Sequence, residues 1–213
     1  MPFKIYQSKC PNNVHQLVVS VSKHLYILKN GQITYQKKPL DVNLFNCGDS
    51  TKEHVVHYLI KDHFSGALYG EVSPSSNLLS LGEFLYRAWS PKEKYSFCGF
   101  PEGVILPKTV ISVFPGVVNL LDALGIMTRT ATSGFHAGIR DIRTWEEYIR
   151  YKFWTQNGWA YFNDLQVGAP ELSAFISRSY GEGKPRIKLW ENNIEEVTVP
   201  AVSKEEFLSA YGK

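Results

Sequence analysis

The feature that most constrains this chain is a change of hydrophobic period part-way along it. Leu40, Val42 and Leu44 alternate with Asp41, Asn43 and Phe45. The runs Val55-Val56-His57-Tyr58-Leu59-Ile60 and Ala67-Leu68-Tyr69-Gly70-Glu71-Val72 then bracket a turn at Lys61-Asp62-His63-Phe64-Ser65-Gly66. Short segments of this kind with tight connections predict three sequential strands in an antiparallel meander. From Leu78 the spacing becomes helical: Leu78, Leu81, Leu85, Ala88 and Trp89 share one face, and Pro91 ends the helix. Val104-Ile105-Leu106, held between Gly103 and Pro107, reads as a buried strand. Val117, Leu120, Leu121 and Leu124 follow the i, i+3, i+4, i+7 rule, with Gly125 at a C-cap position. A longer helix is expected from Gly138 or Ile139 to about Trp154. It should bury Ile142, Trp145, Ile149 and Phe153, with Glu146 placed to pair with Arg150.

This order, β-β-β-α-β-α-α, is that of an α/β domain, α+β by strand order. Upstream, His24-Leu25-Tyr26-Ile27-Leu28 and Ile33-Thr34-Tyr35 flank Asn30-Gly31, the signature of a hairpin. Downstream, Ile187-Lys188-Leu189-Trp190 reads as a strand, and Ser203 with Glu206 forms a capping box for a last helix. The expected organisation is therefore a β-rich N-terminal segment at 1–36, a core at 37–154 and a C-terminal extension at 155–213.

The 213 residues, 44% hydrophobic and 14% aromatic, are enough to bury a substantial core. Against 20 acidic residues stand 23 basic ones, a balance that permits nucleic acid as a partner without requiring it. Cys10, Cys47 and Cys98 are few and far apart, which argues against a disulfide framework or a zinc site and for a reducing, cytoplasmic setting. Neither a signal-type apolar region at the start nor an apolar run long enough to span a bilayer is found, so no membrane partner is expected.

Over residues 37 to 154 the motifs resemble the catalytic core of retroviral integrases and transposases. Pro39-Leu40-Asp41-Val42-Asn43 looks like the strand that carries the family's first metal-binding aspartate. Tyr58-Leu59-Ile60-Lys61-Asp62-His63-Phe64-Ser65-Gly66 looks like its second-to-third strand turn. Pro101-Glu102-Gly103-Val104-Ile105-Leu106-Pro107 is similar to the strand that delivers the second aspartate, but Pro107 occupies the acid position. Ser133-Gly134-Phe135-His136-Ala137-Gly138-Ile139-Arg140-Asp141 resembles the loop and helix start of the third acid, with Asp141, or in another register Arg140, at that place. The resemblance implies a ribonuclease H-like mixed sheet flanked by helices and an acidic triad that has degenerated.

Phosphodiester transfer at such a site uses two divalent ions about 4 Å apart, held by hard carboxylate oxygens. The resemblance therefore names Asp41 and Asp141 as catalytic and metal-ligating candidates for Mg²⁺ or Mn²⁺, with Glu102 a substitute if the strand register shifts. Ordinary readings stand beside these. Asp41 suits the wetter face of a strand, Asp141 a helix N-terminus, and Asp62 a turn. His54, His57, His63 and His136 lack the spacing of metal ligands. Lys108, Arg129, Arg140 and Arg143 are the expected phosphate contacts to DNA or RNA, or else a solvated face. The resulting expectation is an integrase-like, nucleic-acid-associated protein from mobile DNA with weak or absent catalysis, acting as a homo-oligomer or within a recombination or defence complex. An active metal-dependent polynucleotidyl transferase or nuclease and a protein-interaction module that reuses the fold are the alternatives.

Overall fold

Val14–Ile27, rich in β-branched residues, forms β1, and the rest of the main sheet is arranged around it. The structure, a computed structural model, describes residues 8–130, 137–151, 161–181 and 183–211. At the end of β1 the Asn30-Gly31 turn folds β2 (Ile33–Tyr35) back antiparallel, with Gly31 at φ +83° and Leu28 N–H donating to the Gln32 carbonyl at 2.8 Å. Positive φ is why glycine stands there.

β3 (Glu53–Asp62) runs antiparallel to β1, with Leu17 opposite Ile60, and β4 (Leu68–Pro74) runs antiparallel to β3. On the opposite side of β1, β5 (Gly103–Leu106) and β6 (Met127–Thr130) lie parallel to it in turn. The sheet order is β4-β3-β1-β5-β6, with β2 beside the far end of β1, so β1 is where antiparallel pairing gives way to parallel pairing.

Because strand side chains alternate, β1 and β3 supply two cores. On one face Leu17, Val19, Val21, Val56, Tyr58 and Ile60 meet Phe84, Leu85 and Trp89 of α1 (Leu81–Trp89) and Leu120 and Leu121 of α3 (Gly116–Ala123). Helix α2 (Lys108–Val113) links β5 to α3. On the other face Val55, Leu59, Leu68 and Val72 meet Trp145 and Ile149 of α4 (Ala137–Ile149). Leu165, Leu172 and Ile176 of α5 (Phe162–Ser177) complete that second core. The result is a mixed sheet with helices on both faces, as expected.

Several expectations are corrected. Residues 40–45 are not a strand: Asn46 Oδ1 accepts from Asn43 N–H at 2.7 Å and Asn43 Oδ1 from Phe45 N–H at 2.8 Å, and a 3₁₀ turn follows at Cys47–Asp49. Asparagine side chains that bond nearby backbone compete with a sheet ladder, and here they win. Ile187–Trp190 is not a strand but part of α6 (Arg186–Asn193), where Ile187 and Trp190 fall on one buried helical face. The long α5 had no counterpart in the sequence reading, because Gly168 and Pro170 interrupt its pattern. The end of the expected α4 helix, Phe153 and Trp154, lies outside the described residues.

The boundaries expected at 36/37 and 154/155 do not separate independent parts. β1, from the supposed N-terminal segment, is the central strand. Within the supposed extension, α5 docks on β4, where Ser173 Oγ accepts from Gly70 N–H at 2.8 Å and Ser177 Oγ from Leu68 N–H at 3.0 Å. Phe207 of α7 (Lys204–Tyr211) is buried against Tyr86, Trp89 and Phe100. The Ser203–Glu206 capping box that opens α7 is present, with Ser203 N–H on Glu206 Oε2 at 3.0 Å and Glu206 N–H on Ser203 Oγ at 3.2 Å.

Candidate functional site

Helix α4 is pinned to the sheet by Trp145, which is fully buried over Gly70: a Cβ at Gly70 would stand only 2.8 Å from the indole. That anchorage turns Asp141 and Glu146 toward the strands. Lys61 Nζ on β3 donates to Asp141 Oδ2 at 2.5 Å. Glu146 Oε1 accepts from His57 Nε2 of β3 at 3.0 Å and from Ser22 Oγ of β1 at 2.5 Å. Burial works to raise the Glu146 pKa, but the hydrogen bond and charge of His57 and the Ser22 hydroxyl outweigh it and hold the carboxyl below its usual range. Glu146 is thus an ionised acceptor, which places the proton on His57 Nε2. The local pair expected between Glu146 and Arg150 is replaced by this clasp, and the Arg150 guanidinium instead lies 4.2 Å from the Tyr35 ring centre.

The three acidic candidates are not brought together. Asp41 is exposed and lines a cavity of about 290 Å³ with Leu40, Val42, Asn46, Asp49, Ser50 and His54. In that cavity the Ser50 hydroxyl and His54 Nε2 are 2.8 Å apart, and burial pushes the His54 pKa down. His54 is near the start of β3 and Lys61, the partner of Asp141, near its end. Seven residues of strand separate these positions, roughly 23 Å at ~3.3 Å per residue. Glu102, exposed just before β5, accepts from Asn13 Nδ2 at 2.5 Å. Pro107, at the end of β5, is the N-cap residue of α2.

The basic candidates are all exposed. Lys108 opens α2 directly after β5, Arg129 stands on β6 opposite Ile105, and Arg140 and Arg143 lie on α4. Lys108 and Arg129 are therefore near the carboxyl ends of β5 and β6, the two strands that run parallel to β1.

Two other buried polar groups serve the scaffold. Asp62 takes the role of turn former: Oδ2 accepts from the Ser65 backbone N–H at 2.7 Å and Ser65 Oγ at 2.6 Å, Oδ1 from Asn12 N–H at 2.9 Å, and burial still pushes its pKa up. His15 is held neutral, its pKa pushed down to about 3 by burial and then by Lys92. Its Nδ1 accepts from Trp89 Nε1 at 3.1 Å and its Nε2 donates to Asn12 Oδ1 at 3.0 Å.

No family model matches the chain, and no curated protein matches it either. Solved structures do. The catalytic core domain of HTLV-2 integrase in complex with magnesium, solved in a dimeric and a trimeric form, aligns at a TM-score of 0.52 and 14% identity over 86% of this chain and 99% of that chain. The fold is that of a retroviral integrase catalytic core. A chain of the simian T-cell lymphotropic virus intasome in complex with PP2A regulatory subunit B56 gamma aligns at 0.54 and 13% identity over 94% of this chain. The present chain spans 61% of that one.

The integrase-core resemblance implies a divalent ion, and the described residues do not fit one. The family's first acid belongs on the first strand, yet β1, VHQLVVSVSKHLYI, contains no Asp or Glu. The position after β5 is Pro107, which has no side-chain oxygen. Among the described residues no three His, Cys, Asp or Glu side chains are grouped to hold a metal ion. Reading the sequence for acids missed Ser22, His57 and Lys61, the groups that face α4. The even spacing of His57 and Lys61 on one strand was the available signal, because it puts both on the same face.

Proposed function

We propose that this chain is an integrase-like, nucleic-acid-associated protein from mobile DNA whose catalysis is weak or absent. The observation that carries the reading is the sheet surface beneath α4: β1 presents no carboxylate to it, and Pro107 follows β5. The integrase-core fold supports the association with nucleic acid, as do the exposed Lys108, Arg129, Arg140 and Arg143. A cation on a phosphate releases counterions, so binding to duplex DNA should weaken steeply with salt. Titrating DNA and RNA across a salt series tests this. Each of the four cations that touches a phosphate should, when changed to Gln, lower the slope of log K against log salt by about 0.9 on duplex DNA. Mn²⁺-dependent nicking or strand transfer that disappears in Asp41→Ala would overturn weak or absent catalysis and restore Asp41 as a catalytic residue that works with Mg²⁺ or Mn²⁺.

A protein-interaction role is the second reading, favoured by the exposed Val167, Phe175 and Tyr151. No nucleic-acid binding at low salt, together with self-association in light scattering, would select it.

A further inference from the structure

We propose that the α4 face of the sheet is a metal-independent counterpart of the integrase site, in which Lys61, His57 and Ser22 hold the helix-borne carboxylates that a divalent ion would otherwise claim. The inference rests on the integrase-like reading of the fold. Three carboxylates belong to α4, and Glu147 among them is exposed to solvent, leaving Asp141 and Glu146 turned toward the strands. An ammonium satisfies the first, and an imidazole N–H and a hydroxyl satisfy the second. His57 is wholly buried, and the side chains of Lys61, Asp141 and Glu146 are each less than one-fifth exposed, so the contacts are shielded from water and screened little by salt.

A Mg²⁺ ion approaching this face would have to displace the Lys61 ammonium from Asp141, or the two donors from Glu146. It would leave those groups buried and unpaired, a cost that a single remaining carboxylate does not offset. Among the described residues no three His, Cys, Asp or Glu side chains are grouped to hold the ion, and the family's other two acid positions add no carboxylate. β1 has none, Pro107 supplies none, and the segments outside the described residues contain one acid, Glu182, which follows α5 and belongs to none of the integrase-like motifs. The sheet thus supplies from its own side chains the donors that balance α4. Docking of α4, and any nucleic-acid binding on this side, then needs no divalent ion.

The test uses the full chain, uniformly ¹⁵N-labelled, titrated with MnCl₂ at neutral pH and read by backbone amide intensities. The expected result is that amides of α4 and of Val18 to Ser22 keep the intensities of a Mg²⁺ control at one equivalent of Mn²⁺. Selective bleaching of the amides around Asp141 and Glu146 would overturn the proposal. Melting gives a second readout: equal midpoints in MgCl₂ and in EDTA are expected, and a rise in MgCl₂ that vanishes in Glu146→Gln would also overturn it. DNA binding measured in EDTA separates this inference from the reading beneath it. Bleaching with DNA binding intact rejects metal independence alone, whereas loss of DNA binding with α4 unbleached rejects the nucleic-acid role alone.

Discussion

Trp145 of α4 lies over Gly70 of β4, and adding one methyl group there measures how firmly the helix is seated. In Gly70→Ala the new Cβ would stand 2.4 Å from Leu59 Cδ2 and 2.8 Å from Trp145 Cη2, both inside contact distance. Overpacking of a filled core costs about 1–3 kcal/mol, and restricting the unfolded chain returns about 0.4–1 kcal/mol, which leaves a net loss of about 1–2 kcal/mol. For a chain of this size that is a fall in melting midpoint of about 2–8 °C. Leu59 offers the end of a flexible side chain and can rotate, but the indole is rigid, so Trp145 should carry most of the penalty. Trp145→Phe removes the benzo ring that meets the methyl. In that background Gly70→Ala should therefore cost less by about 0.5–1 kcal/mol, a coupling typical of residues in contact. Urea unfolding followed by far-UV circular dichroism, with the slope constant across the four proteins, measures the cycle. Penalties that add to within about 0.5 kcal/mol, or a Gly70→Ala that is neutral, would refute the seating of Trp145 on Gly70 and with it the placement of Asp141 and Glu146.

Two further perturbations follow from the buried polar contacts. Glu146 has its carboxyl pKa lowered in the folded protein, so its stabilisation is present above the ordinary carboxylate range and is lost as pH falls through the folded value. Glu146→Gln should accordingly cost about 2 kcal/mol at pH 7, with the gap to the parent closing in acid; a gap that widens in acid in parallel urea melts would reverse the sign. Asn12→Ala should cost about 2–5 kcal/mol in the same assay, because His15 Nε2 and Trp190 Nε1 both donate to Asn12 Oδ1 and would be left buried without an acceptor. Asn12→Gly, which suits the positive φ of 58° equally well, should be as damaging, separating the lost acceptor from backbone strain.

Much of the fold was legible in the sequence because burial imposes a period. Val55 to Ile60 and Ala67 to Val72 pair as β3 and β4, and Leu81, Leu85, Ala88 and Trp89 lie on one face of α1. The Asn30-Gly31 and Ser203–Glu206 signals worked because each specifies its backbone within a few residues. What failed was assignment between competing local patterns. Leu40, Val42 and Leu44 alternate as a strand would, yet Asn43 and Asn46 close a turn through their own side chains. β1, the true central strand, was read only at its end, as the first arm of a hairpin, so the aspartate of Leu40-Asp41-Val42 was matched to a strand that another part of the chain supplies.

The site was harder to read than the fold for a different reason. A sheet needs apolar residues at alternate positions, and that requirement is satisfied with Val18 or Ser20 on β1 as well as with an acid. A catalytic carboxylate can therefore be absent from β1 with no trace in the hydrophobic pattern. What its absence does require is a new balance of charge beneath α4, and that balance is built from residues far apart in sequence. Lys61 meets Asp141 across 80 positions, and Ser22 meets Glu146 across 124. Local rules pair Glu146 with Arg150 four residues on, because only sequence distance is available to them. In three dimensions the seating of Trp145 decides the matter, turning Glu146 inward to His57 and Ser22 and leaving Arg150 to stack on Tyr35. The chemistry open to this face is thus set less by which acids survive than by which donors the strands direct at them.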